Sequence, residues 1–237
     1  MKQPTEKPHR FYKQATGAAF EGGYAVLLDG RPARTPGGLR LKLPTLALAE
    51  LLAAEWEATQ GVINFEAMPA TRLAFTVIDR AGAVRESIAA QVARYAGSDL
   101  LCYLAEGPQS LIDQEEGAWA PWREWAAREL DLTLACTTGI GHVQQPPESL
   151  YRAEVLALEL DDFNLAALAF AAALLGSAVL AFAVQRGALH ASAALAVSRV
   201  DEIFQEERWG VDAEAAARVD VLEREAAMIE AWFGALR

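Results

Sequence analysis

The chain reads as an α+β protein, with a β-rich antiparallel N-terminal domain followed by a mostly helical C-terminal domain. Three observations predict this. The first 45 residues carry tight-turn dipeptides between short segments that alternate at period two. From Pro44 onward the apolar residues recur at helical spacing. After "QQPPES" (Gln144 to Ser149), the clearest linker, no strand signal appears. The expected division is therefore 1–145, with strands mainly within 10–45 and helices after them, and 146–237, all helical. At 237 residues and 53% hydrophobic, the chain is long enough to bury a real core.

The elements follow in order. "YAVLL" (Tyr24 to Leu28) is a strand that ends at Asp29-Gly30. That pair suits a two-residue hairpin, whose central positions need positive φ. The return segment, "RPART", carries Pro32, which has no amide to donate and so fits an edge. "TPGG" (Thr35 to Gly38) turns the chain again. "LRLKL" then sets Leu39, Leu41 and Leu43 on one face and Arg40 and Lys42 on the other.

After Pro44 the period changes. Thr45 can cap a helix whose buried face holds Leu48, Leu51, Leu52 and Trp56, with Gly61 suited to the position past its end. Pro69 opens a second helix, "PATRLAFTVIDR", and a third, "VRESIAAQVARYA", stops before Gly97. "DLLCYLA" and "LTLACTTGI" each read as a short buried strand. Between them Pro108 to Glu129 reads as helical, with Trp119, Trp122 and Trp125 three apart. Those rings make either a core stripe or a peptide-binding surface, and Pro121 either kinks the helix or starts a new one. The C-terminal helices are expected at Leu150 to Leu160, Asp161 to Leu175, Ser177 to Gln185, Leu189 to Trp209 and Asp212 to Phe233. Asp161 or Asp162 can cap the second of these, and Asp212 the last.

Composition narrows the function. A net charge of −11 disfavours nucleic acid, whose phosphates need clustered Lys and Arg, and suits a basic protein surface instead. Cys102 and Cys136 form no CxxC and sit in apolar runs, so buried free thiols in a reducing compartment are expected, with a disulfide or redox pair as the alternative. "MKQPTEKPHRFYKQ" has no signal-peptide core, which points to the cytoplasm. Leu165 to Val184 has no charge in twenty residues. Its alanine content, the Gly176-Ser177 break and the missing aromatic belt favour two buried helices over a membrane span.

Catalytic signatures are missing. His9, His142 and His190 lie far apart, in no metal-ligand spacing. There is no phosphate-cradling GxxxxGK[ST] and no GxSxG, and "GIGHVQ" lacks the third glycine of a dinucleotide fingerprint. No catalytic residue, metal or cofactor is expected. A soluble enzyme with an acidic site that no motif marks stays open as the alternative.

The unusual feature is a surface. In "VDEIFQEERWGVDAEAAARVD" (Val200 to Asp220), helical winding groups Val200, Ile203 and Phe204 on a core-facing arc. Glu202, Gln205, Glu206 and Trp209 lie opposite. Glu207 falls oddly on the apolar arc. A tryptophan amid carboxylates either packs under the following helix or anchors a partner, with Glu202, Glu206 and Glu214 as a rim that steers a basic patch.

The sequence resembles the Atp-twelve family, assembly chaperones for the α subunit of the soluble sector of F-type ATP synthase. The matching stretches are "RFYK" (10–13), "LDGRPARTP" (28–36), "AEWEATQ" (54–60), "MPATRLAFTVIDR" (68–80), "DLLCY" (99–103), "TGIGHVQQP" (138–146), "GSAVLAFAV" (176–184) and "DEIFQEERWGVDAEAAAR" (201–218). Eight in the right order are specific. Leu104 and Ala120 depart from the arginine and aspartate usual in the family. The resemblance implies a protein without catalysis that binds the free α subunit and keeps it from aggregating until it joins β. It implies no membrane insertion and a bacterial-type cytoplasmic setting, or the mitochondrial matrix in eukaryotic relatives. The family's functional acid belongs to the block matched here by Asp201, Glu202, Gln205, Trp209 and Gly210. That overlap favours a binding surface. The expected partner-binding set is Glu202, Gln205, Glu206, Trp209, Asp212 and Glu214, on a monomer.

Overall fold

The structure is a computed structural model that describes residues 8–210 and 213–237. The fold is α+β, as expected, and divides into two compact units. One comprises Met1–Ala83 with Ala231–Arg237; the other is Val84–Glu230. The expected boundary at 145/146 falls inside the second unit. Its prolines begin a helix there, and Gln145, buried, pairs its side-chain amide with both the N–H and the carbonyl of Ala135 (2.7 and 2.9 Å). A linker-like composition is thus used as a helix start.

The first unit is built on β1 (Ala15–Phe20) and β2 (Gly23–Leu28), antiparallel with Ala15 opposite Leu28. Two short strands, β3 (Arg31–Pro32) and β4 (Lys42–Leu43), also pair with β2. Both hairpin turns place two successive residues at positive φ, Glu21-Gly22 and the anticipated Asp29-Gly30. Leu41 and Leu43 are buried as the alternation demands, whereas Leu39 is exposed beside the TPGG turn. Helix α1 (Leu46–Ala58) lies across β1 and β2, buries Leu48, Leu52 and Trp56, and is capped by Thr45, which accepts from the amide of Leu48. At Gly17 a Cβ would come within 2.6 Å of the Glu50 amide nitrogen, so the sheet accepts the helix only with glycine there.

Charged side chains of this unit are spent on its own backbone. Arg10 donates to the carbonyls of Tyr12, Lys13, Glu57 and Thr59 at 2.7–3.1 Å, closing the C-terminal end of α1, and pairs with Glu57. Helix α2 (Pro69–Thr76) has no capping side chain from its own N-cap residue, Met68. Glu55 replaces it, accepting from the amides of Ala70 and Thr71 at 2.8 Å each. The predicted second helix continues as a π turn over Val77–Ala81. There Asp79 holds the TPGG turn by accepting from the Thr35 hydroxyl (2.5 Å) and the Gly37 amide (3.0 Å).

The second unit is helical. α3 (Gly82–Gly97) leaves helical geometry at Val84, where the unit begins. α4 (Gln109–Leu130) runs unbroken through Pro121 and ends at Asp131 in the left-handed conformation. α5 (Pro147–Leu158) leads to α6 (Asp162–Leu175), capped by Asp161, and α7 (Ala178–Gln185), capped by Ser177. α6 and α7 break at Gly176 (φ 63°) and are largely buried. Among the described residues no helix is long and apolar enough to cross a membrane. Asp99, fully buried, accepts from the amides of Leu101 and Val179 and so ties "DLLCY" to the start of α7.

Three expectations are corrected. "DLLCYLA" and "LTLACTTGI" supply only two residues each of strand, β5 (Tyr103–Leu104) and β6 (Thr137–Thr138), paired in parallel. The preceding Leu100–Cys102 is a 3₁₀ turn because Asp99 caps it. Both thiols are free, but Cys136 is exposed. Leu189 to Trp209 is not one helix. It divides at Arg199 (φ −112°, ψ 21°) into α8 (Ala191–Ser198) and α9 (Val200–Trp209). The indole of Trp119 donates to the Val197 carbonyl at 2.9 Å, two residues before the break. The last helix, α10 (Ala213–Leu236), runs slightly past its expected end, and the expected cap Asp212 lies outside the described residues.

Candidate partner-binding surface

α9 presents two unlike faces. Phe204 is buried, with Val200 and Ile203 half-buried beside it, which is the arc the helical wheel singles out. Opposite, Glu202, Gln205 and Trp209 are exposed. Trp209, at the last turn, is 77% exposed, so it does not pack under the following helix. An indole left this open gains nothing from water and is the side chain type that anchors interfaces.

The remaining carboxylates behave differently. Glu206 is half-buried and takes a 2.7 Å bond from the Arg199 guanidinium, so its charge is already partnered within the unit. Glu214, in the first turn of α10, is exposed and pairs with Arg218 four residues on (3.1 Å). Asp212 lies outside the described residues. Glu207 is exposed despite its place near the apolar arc, because it sits in the last turn, where a long side chain reaches water. Arg208 turns back over the Phe204 ring, 4.0 Å from its centroid, and donates to the Ser110 hydroxyl. Its guanidinium thereby lies over the apolar arc.

Beneath this helix lies a carboxylate that the motifs do not flag. Glu115 on α4 is 1% exposed and accepts from the Ala105 amide at 2.7 Å. Its carboxyl is pushed upward, chiefly by burial and further by the nearby charge of Asp201, against the pull of that amide. The signal is in the sequence: Leu111, Glu115 and Trp119 step at four residues along the buried stripe of α4. Trp119 is core, while Trp122 and Trp125 are half-buried and meet edge to face at 6.1 Å. The threefold tryptophans are thus split between core and surface.

An open groove of about 580 Å³ lies elsewhere in this unit, between α3 and the start of α5, lined by Ala93, Arg94, His142, Leu150 and Glu154. Glu154 is the single carboxylate in its lining, so it holds no convergent acid pair, and Glu207 does not line it.

Comparison with known proteins gives these features a context. The family described as ATP12 chaperone protein matches residues 9–127. Protein atp12, mitochondrial, from Schizosaccharomyces pombe is 26% identical over 220 residues, 87% of this chain and 75% of the relative. The crystal structure of Atp12 from Paracoccus denitrificans superposes with a TM-score of 0.89 at 41% identity, covering 97% of this chain and 98% of that one. The Atu1473 protein from Agrobacterium tumefaciens, a putative chaperone, gives 0.91 at 36% identity, covering 97% and 87%. A further solved structure is an aspartate-to-lysine mutant of the Paracoccus protein, with a TM-score of 0.84 at 41% identity and 95% of each chain covered. The chain belongs to the ATP12 chaperone protein family.

Proposed function

We propose that this chain assists assembly of the soluble catalytic sector of F-type ATP synthase by binding the free α subunit until it joins β. Family membership supports the chaperone reading. The observation that carries the binding surface is the exposed indole of Trp209 on the same side of α9 as Glu202 and Gln205.

The physics is that of a temporary cover. An isolated subunit exposes apolar and charged surface that it will later give to a neighbour, and bare surface of that kind aggregates. Trp209 covers apolar side chains, and Glu202 and Glu214 oppose client Arg and Lys. Glu206, held by Arg199, shapes the site more than it pulls on the client. Handover to β needs an off-rate fast enough for displacement, so the contact is moderate in strength. The chain acts as a monomer, without a cofactor, and no bond is made or broken.

The test is direct. Purified α subunit held under aggregating conditions stays in solution when this chain is added and elutes with it, and adding β releases the complex. Aggregation at the same rate with and without the chain contradicts the proposal.

A further inference from the structure

The parallel pairing of β5 with β6 sets Tyr103 opposite Thr137 and Leu104 opposite Thr138, and the Gly139 amide extends the pairing to the Leu104 carbonyl at 2.7 Å. One residue before this register stand Cys102 and Cys136, separated by 34 positions in sequence and brought onto adjoining backbones. The pairing that begins one residue on, at Tyr103 and Thr137, holds the two backbones about 4.8 Å apart, inside the range of about 4.4–6.8 Å between Cα atoms that a disulfide spans. The Cys136 sulfur lies near enough to the Cys102 thiol to act on its charge, and both are free.

Their surroundings are opposite. Cys136 is exposed, and Cys102 is fully buried. Burial pushes the Cys102 thiol upward, and the Asp99 carboxylate beside it adds to that, so Cys102 stays protonated while Cys136 meets solvent. Since the thiolate is the nucleophile, the first attack belongs to Cys136.

We propose that Cys102 and Cys136 form a dithiol that closes to an intrachain disulfide by exchange with a small-molecule disulfide, Cys136 reacting first and Cys102 resolving. In the first step the Cys136 thiolate forms a bond to one sulfur of the small disulfide, whose S–S bond breaks and releases one thiolate. In the second step Cys102 attacks Cys136 Sγ, and the mixed disulfide releases the second thiolate, which takes up the proton that Cys102 gives up, as the first thiolate takes up the proton that Cys136 lost. Two electrons pass from the cysteine pair to the small disulfide, which leaves as two thiols. The bond fastens β6 and the following loop, which carries the fully exposed Ile140, to β5.

The probe is glutathione disulfide, added to the purified full-length chain under non-denaturing conditions. Oxidised protein is expected to lose both titratable thiols, to weigh two hydrogens less than the reduced chain, and to return to the start with a dithiol reductant. Cys102→Ser should stop at one glutathione attached to Cys136, and Cys136→Ser, altered at an exposed position, should not react. A wild-type product that keeps glutathione on Cys136 and never closes would overturn the proposal, as would a Cys136 that does not react. The outcome is independent of whether any α subunit is bound.

Discussion

The two units differ most plainly in their balance of charge. By sequence, Met1–Ala83 with Ala231–Arg237 holds eleven Lys and Arg against eight Asp and Glu, a net of +3, while Val84–Glu230 holds ten against twenty-four, a net of −14. All four lysines lie in the first unit. There the family stretches turn charge inward: Arg10 on carbonyls at the end of α1, Glu55 on the first amides of α2, Asp79 on the TPGG turn. In the second unit the stretch "DEIFQEERW" leaves Glu202 and Trp209 in solvent, while Gln205, also exposed, donates to the Asp201 carboxylate at 3.3 Å. A matched motif is therefore no guide to binding by itself. The side chains that serve their own backbone hold the fold, and those left unspent are the ones free to meet a partner.

Substitutions can break this contrast, and the largest effect is expected in the first unit. Arg10→Ala strips donors from four carbonyls and should cost about 2–4 kcal/mol, measured by urea unfolding. A loss near zero would place Arg10 among the unspent charges. Next comes Asp99, pushed up to about 6 by burial from an ordinary 3.8, against the pull of Ser177 and of the amides it accepts. The folded form holds this proton more tightly than the unfolded form. Its contribution is thus greatest below about pH 4 and lost as pH rises through about 6, worth about 3 kcal/mol across that window. Urea midpoints of wild type and Asp99→Asn over this range check it, since the variant should show a flatter profile.

Gly17→Ala should cost about 1–3 kcal/mol, because its Cβ would meet the α1 backbone at 2.6 Å. A neutral result would mean that α1 can lift from β1. The smallest stability effect belongs to the second unit. Trp209→Ala, at a side chain 77% exposed, should change stability by no more than about 0.5 kcal/mol.

Much of this was legible in the residues. Asp29-Gly30 marked the turn after β2, Thr45 and Asp161 announced helix starts, and Gly176 divided the apolar run, because each acts through its own backbone. The exposed face of α9 was legible as well, since a ten-residue amphipathic helix declares its sides. Contacts between distant segments were not. "QQPPES" looked like a linker because proline and serine cannot reveal that Gln145 grips Ala135. The break at Arg199 lies two residues past a carbonyl bonded by an indole from α4, and the pairing of Glu206 with Arg199 depends on a rotamer. The strands around Cys102 and Cys136 read as longer because apolar runs do not show where a buried carboxylate such as Asp99 will cap the chain into a 3₁₀ turn.

The central claim is that the solvent face of α9 is spent on a partner and not on the fold. The most direct measurement is capture of free α subunit by wild type, Glu202→Lys and Trp209→Ala, with the urea midpoint of each chain determined in parallel. Capture should fall sharply in both variants while Trp209→Ala keeps the wild-type midpoint. Equal capture by all three chains, or loss of capture that follows loss of stability, would contradict the account.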